Sequence, residues 1–103
     1  MMNAKMTNEG NALIARIEGR LDSQSSPELE RIINSSLDGI TSLTLDFSNL
    51  LYISSAGLRI VLSCKKKMNA VQGEMIILNP NELVMDVFDA TGFADILDIR
   101  RNI

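Results

Sequence analysis

Apolar and polar residues alternate along this chain in two rhythms. From Ala12 to Glu18 the alternation has a period of two, with Leu13, Ala15 and Ile17 on one side and Ile14, Arg16 and Glu18 on the other. That pattern predicts a strand with one buried face. Thr41 to Phe47 repeats it, setting Leu43, Leu45 and Phe47 against Ser42, Thr44 and Asp46. The polar set predicts that this second face is only partly covered, or that Asp46 is held by nearby donors. Met75 to Leu78 is a short continuous apolar run, the pattern of a buried strand with a parallel neighbour. Between these segments the period lengthens to that of a helix. Leu29, Ile32, Ile33 and Leu37 make one apolar face. Leu58, Val61, Leu62, Cys64 and Met68 make a second, widened by Ile60, and Val84, Val87, Phe88 and Thr91 make a third, extended by Leu83.

Turn and cap residues punctuate these segments. Asn8-Glu9-Gly10-Asn11 predicts a hairpin turn after a short edge strand near Lys5-Met6-Thr7. Gly19-Arg20-Leu21-Asp22 and the serines after it read as loop. Ser26-Pro27-Glu28 opens the first helix with a hydroxyl cap and proline at the first helical position; Ser25 paired with Glu28 as a capping box is the alternative. Gly39 is expected to end that helix. Gln72-Gly73-Glu74 turns the chain into the Met75 strand. Asn79-Pro80 starts the last helix, Glu82 lies in its first turn and Gly92 terminates it. Ile96, Leu97 and Ile99 suggest a final short strand or tail. The order is β, α, β, α, β, α with a further strand at each end. It predicts an α/β domain, residues 1–103, with a mixed central sheet of four to five strands and helices as crossovers.

Composition removes whole classes of function. A chain of 103 residues suffices for one small domain. No apolar run approaches the roughly 18 residues needed to cross a bilayer, and the N-terminus lacks the apolar core of a signal peptide, so a cytoplasmic protein is the default. The net charge of −3, with both signs interspersed, argues against nucleic acid as the main partner. Lys65-Lys66-Lys67 falls in the last turns of a helix, where cations complement the dipole. Among 103 residues there is no histidine and one cysteine, Cys64. Triads, histidine metal sites, thiolate clusters and internal disulfides therefore drop out. No metal site or catalysis is expected, and a monomer is.

Candidate chemistry gathers in Asp46–Met68, DFSNLLYISSAGLRIVLSCKKKM. It reads as the end of a strand, a polar loop, the pair Ser54-Ser55, and a helix. In α/β sheets sites collect at the C-terminal ends of strands, which here carry Asp22 with Ser23, and Asn49 to Ser55. A hydroxyl on a helix N-terminus lies close to unpaired N–H groups, a setting that favours phosphate. Ser55 is thus a candidate phosphate acceptor; the plainer reading is that Ser54 and Ser55 only cap the helix. Gly57 costs roughly 0.5–1 kcal/mol in a helix relative to alanine, so either a partner backbone or the sheet beneath must come close to it. A nucleophile elbow fails, because Ile53 stands where glycine is required and no base is present. A phosphoaspartate at Asp46 lacks the neighbouring acids that Mg²⁺ needs.

Several motifs in order carry a family resemblance: Gly19-Arg20-Leu21-Asp22, Leu45-Asp46-Phe47-Ser48, Tyr52-Ile53-Ser54-Ser55-Ala56-Gly57-Leu58, Gly73-Glu74-Met75, and Val87-Phe88 with Thr91-Gly92-Phe93. Over nearly its whole length the chain resembles the STAS domain family, and within it the bacterial anti-sigma factor antagonists. The resemblance implies a non-enzymatic regulator of transcription that acts by partner switching. Such a protein binds an anti-sigma factor serine kinase and frees a sigma factor. Phosphorylation of one serine, matching Ser55, blocks binding, and a PP2C-type phosphatase reverses it. No cofactor is implied, since ATP and Mg²⁺ belong to the kinase. Asp22, Ser23, Ser54, Ser55, Ala56, Gly57 and Leu58 are the implied partner contacts. Where the family commonly has aspartate before the acceptor, this chain has Ser54, which opens Ser54 as a second acceptor. It also keeps alive another job for the domain, in a transporter complex or as a small-ligand sensor.

Overall fold

The alternation that begins at Ala12 becomes the longest parallel-paired strand of a six-stranded mixed sheet. The structure, a computed structural model, describes residues 2–101; Met1, Asn102 and Ile103 lie outside the described residues. In chain order the elements are β1 (Met2–Glu9), β2 (Ala12–Leu21), α1 (Ser26–Asn34), β3 (Ser42–Asp46), β4 (Leu50–Ile53), α2 (Ser55–Ala70), β5 (Glu74–Leu78), α3 (Glu82–Thr91) and β6 (Asp98–Arg100). A short 3-10 turn, Phe93–Asp95, joins the last two. β1 pairs antiparallel with β2 through the predicted hairpin, and the sheet continues β2, β3, β5, β6 with parallel pairing. Parallel neighbours joined by helices follow from the β–α alternation.

Register explains the core. Leu13, Leu43 and Met75 align across three strands, as do Ala15, Leu45 and Ile77, and all six are buried. They meet the buried sides of the helices, which contribute Leu29 and Ile33, then Leu58, Ile60, Val61, Cys64 and Met68, then Val84 and Phe88. The opposite row, Ile14, Thr44 and Ile76, is only half-buried. One face of the sheet is therefore packed and the other partly open. Asp46 lies in that open row and is held as anticipated. Its carboxylate accepts from the Ser48 hydroxyl at 2.6 Å and the Ser48 N–H at 3.0 Å, and from Arg16 Nε at 3.3 Å. Burial pushes the Asp46 carboxyl up, but these donors outweigh it and hold the group below its usual value.

The structure corrects several boundaries. The edge strand expected near Lys5-Met6-Thr7 runs for eight residues as β1. β2 does not stop at Glu18 but continues through Gly19-Arg20-Leu21. α1 starts at Ser26, with Ser25 as its cap residue and no side-chain cap bond, so neither proposed capping scheme forms. It ends at Asn34 rather than near Gly39, because the hydroxyls of Ser35 and Ser36 both donate to the Ile32 carbonyl and compete with helix continuation. α3 starts after Asn81, whose side chain accepts from the Val84 N–H at 2.8 Å, a full N-cap two residues past Asn79. Gly92 does close α3, in the left-handed region at φ 80°. Leu83, expected to extend the apolar face of α3, is instead 51% exposed.

Candidate functional site

One strand was hidden in the segment read as loop, and it positions the site. Asn49 to Ile53 shows no alternation, yet Leu50–Ile53 forms β4 and pairs parallel with the second half of β2. β3 covers Ala12–Arg16 on that same edge, so β3 and β4 lie end to end along β2. The break between them is managed locally. The register shifts at Gly19-Arg20, and Gly19 has φ 89°, a conformation that favours glycine. Its N–H donates to the Asn49 carbonyl at 3.1 Å, and the Leu50 N–H donates to the Phe47 carbonyl at 3.0 Å.

The strand then hands over to α2. The Ser54 N–H donates to the Leu21 carbonyl at 2.9 Å, and the Ser54 carbonyl accepts from the Leu58 N–H at 2.9 Å. Ser54 is thus the last residue tied to the sheet and the N-cap of the helix, in extended conformation. From the other side Asn81 Nδ2 donates to the Leu50 carbonyl at 3.1 Å. Gly57 seats the first turn of α2 on the sheet. A Cβ there would lie 2.7 Å from Ile53 Cγ1, 2.9 Å from Leu21 Cγ and 3.0 Å from the Leu21 carbonyl oxygen. Of the two accounts of this glycine, close helix-on-sheet packing is the one found.

The serines separate. Ser55 is exposed at the first position of α2. Ser54 turns its hydroxyl inward, where it is buried and without a hydrogen-bond partner among the described residues. Ser54 holds the N-cap position, but its side chain makes no cap bond, so the pair does not cap the helix through its hydroxyls. In this arrangement the Ser54 hydroxyl is less accessible than that of Ser55. With no side-chain cap, the N–H groups of the first turn of α2 have no acceptor within their own helix. The turn carries no acidic residue, leaving the partial positive charge of the helix end uncompensated on α2 itself.

The remaining expected contacts divide. Ser23 is exposed and shares with Ala56 a cleft of about 260 Å³ between the first turns of α1 and α2, together with Ser26, Pro27, Glu30, Arg59 and Ile60. Asp22 follows Leu21, the residue bonded to Ser54, but its carboxylate serves its own loop. Oδ1 accepts from the N–H groups of Gln24 and Ser25 at 3.0 and 3.1 Å and from the Ser25 hydroxyl at 3.2 Å. The Ser25 N–H bond leads the donors that hold the Asp22 carboxyl below the ordinary aspartate value. Gly57 and Leu58 are buried and belong to the core. A helix whose first turn faces the sheet hides every third or fourth residue, so these two support the surface without forming it.

Sequence reasoning missed three participants. Asn81 is the clamp on β4, signalled only by its place after Pro80. Arg20 stacks over the Tyr52 ring at 4.3 Å and lies 4.0 Å from Asp22, tying the ends of β2 and β4 together. Arg59 projects from α2 one turn beyond Ser55. Cys64, as expected, is buried in the core, where burial pushes its thiol up to about 11. Among the described residues no group of side chains is arranged to hold a metal ion, and no helix is long and apolar enough to cross a membrane.

The STAS domain family model matches residues 3–103. The chain belongs to the STAS domain family. Over 99 residues the domain is 35% identical to BtrV of Bordetella bronchiseptica, whose name describes it as an anti-sigma factor antagonist, covering 95% of this chain and 85% of BtrV. It is 25% identical to the anti-sigma-B factor antagonist of Staphylococcus aureus, covering 95% of this chain and 92% of that one. SpoIIAA in its unphosphorylated form superposes with a TM-score of 0.87 at 22% identity, covering 98% of this chain and 89% of that chain. The phosphorylated form of the Bacillus protein gives a TM-score of 0.79 at 21% identity, with 98% and 92% covered. These superpositions establish the fold: a mixed sheet with three helices, as the β–α order predicted, with one strand more than the four to five expected.

Proposed function

We propose that this domain is an anti-sigma factor antagonist whose binding to an anti-sigma factor serine kinase is switched off by phosphorylation of Ser55. One observation carries the reading. Ser55 presents an exposed hydroxyl on the uncapped N-terminus of a helix that the sheet holds rigidly from below. The names of its STAS relatives, BtrV and the S. aureus protein, support the partner class. That SpoIIAA has been solved in both unphosphorylated and phosphorylated forms supports the modification.

The chemistry is the kinase's. The terminal phosphoryl of ATP passes to Ser55 Oγ, ADP leaves and the hydroxyl proton is released. The antagonist supplies an accessible oxygen beside N–H donors that stabilise the product. The phosphate adds about −1.5 to −2 charge at neutral pH. Its effect falls on the partner, through repulsion and bulk over Ser23, Ser55 and Ala56. A PP2C-type phosphatase restores the hydroxyl. The site of action is the cytoplasm, where a sigma factor works.

The test pairs binding with mass. In a pull-down with the cognate kinase, Ser55→Ala binds with or without ATP, the unmodified protein binds only without ATP turnover, and Ser55→Asp loses binding. Incubation with kinase and ATP adds one phosphate to the natural chain and none to Ser55→Ala, read by intact mass. Equal binding by the natural protein and Ser55→Asp, or no mass gain, refutes the switch.

A further inference from the structure

We infer that Arg59 binds the phosphoryl group of phospho-Ser55, so that modification also takes from the docking surface the cation standing beside the acceptor. The inference rests on the reading of Ser55 as a phosphate acceptor. Residues four apart on a helix lie on one face with Cβ atoms roughly 6 Å apart, and an anion preceding a cation at this spacing is the favourable orientation. Ser55 and Arg59 are both exposed residues of α2. Among the described residues Arg59 makes no ion pair or side-chain hydrogen bond; Arg31 and Arg101 share that state, but Arg59 is the one that lies a single helical turn from Ser55.

The ground around Arg59 is open. It lines the cleft of about 260 Å³ with Ser23, Ser26 and Ala56, and also a groove of about 370 Å³ along the outer side of α2 with Ser63, Lys66 and Lys67. Its guanidinium therefore has free space on both flanks and can turn toward position 55. The cleft between α1 and α2 reaches Ala56, the residue next to Ser55.

The competing charges are few. Glu30 of α1 is the carboxylate in the cleft, and it does not pair with Arg59. Asp22, in the loop before α1, is occupied by its own Ser25 and Gln24 donors. Lys66 and Lys67 of α2 add positive potential from the groove. A phosphate with nearly two charges, tethered on the same helix, outcompetes a single carboxylate on another element. Arg59 then meets it as a charge-assisted, two-pronged donor, a geometry lysine does not reproduce.

The test installs phosphoserine at position 55 during translation, so that the result does not depend on the kinase, and follows the ³¹P resonance across pH 4–8. Free phosphoserine loses its second proton near pH 6. In the natural background Arg59 lowers that midpoint by at least about 0.3 of a unit relative to Arg59→Gln, with Arg59→Lys in between. The Arg59 Nε–H resonance also shifts when the phosphate ionises. Equal midpoints in the natural and Arg59→Gln backgrounds, with circular dichroism showing both folded, overturn the inference and leave the acceptor reading standing. Failure of the kinase to add phosphate mass counts against the acceptor reading instead.

Discussion

Adding one methyl group to Gly57 tests whether the sheet sets the position of Ser55. The glycine sits in the first turn of α2 with ordinary helical geometry, so backbone strain plays no part. Two effects of Gly57→Ala oppose one another. Alanine is the better helix former by roughly 0.5–1 kcal/mol. Against this, its Cβ arrives 2.7 Å from Ile53 Cγ1 and 2.9 Å from Leu21 Cγ. Those side chains cannot retreat, since Ile53 is 2% and Leu21 0% exposed. The third contact, 3.0 Å to the Leu21 oxygen, is with backbone that already accepts the Ser54 N–H. Overpacking of this kind costs about 1–3 kcal/mol. At mid-range values the clash wins, and the net destabilisation is about 1 kcal/mol, a fall in melting temperature of roughly 4–8 °C for a domain of this size.

The chain has no tryptophan and one tyrosine, so far-UV circular dichroism is the probe, with urea titration giving the midpoint at unchanged slope. Relief should be local. On an Ile53→Ala background the closest contact is gone, and the cost of Gly57→Ala falls, which a double-mutant cycle reads directly. A Gly57→Ala protein as stable as the natural one, or more so, refutes the reasoning, for the helix would then be free to lift off the sheet.

Two further outcomes follow from the same geometry. Asn81→Ala removes both the N-cap of α3 and the donor to the Leu50 carbonyl, and should cost about 1–2 kcal/mol in thermal or urea unfolding; a cost below about 0.5 kcal/mol would mean that β4 is held from the β2 side alone. Phosphate at position 55 should raise stability by about 0.3–1 kcal/mol through the helix dipole, read as a melting temperature at or slightly above that of the unmodified protein; a clear fall would show the modification acting through the fold.

The buried rows were legible because period-two alternation survives wherever one face of a strand is packed and the other wet. Leu13, Ala15 and Ile17 on β2 and Leu43 and Leu45 on β3 follow it without exception. β4 was illegible for the converse reason. It is four residues long, and Leu51, between buried Leu50 and half-buried Tyr52, is 62% exposed. Its partner segment hid in the same way, because Gly19 reads as a strand end but marks a register shift inside one. At the start of α1 the sequence offered two serines for one cap. Asp22 decided between them by taking the Ser25 hydroxyl and N–H into its own turn, a competition among neighbours that no spacing rule ranks. In the site, exposure of Ser55 was foreseeable from the strand-to-helix switch. The inward turn of Ser54 and the burial of Gly57 and Leu58 depend on where β4 lies, and could not be read without it.

That dependence bears on how a switch can work here. Ser55 is fixed by the Leu21–Ser54 bond, by the fit of Gly57 over Leu21 and Ile53, and by the Asn81 grip on β4. None of these uses the Ser55 side chain, whose hydroxyl makes no hydrogen bond among the described residues. Changing the chemistry of that side chain therefore breaks no bond of the fold, and the free energy of modification has nowhere to be stored internally. A conformational relay would require a second arrangement of packed groups to which the phosphate is coupled. The residues beneath Ser55 instead fit one arrangement with less than a methyl group to spare. Under the proposed switch, phosphate on Ser55 would then act at the surface, as charge and bulk presented to the partner.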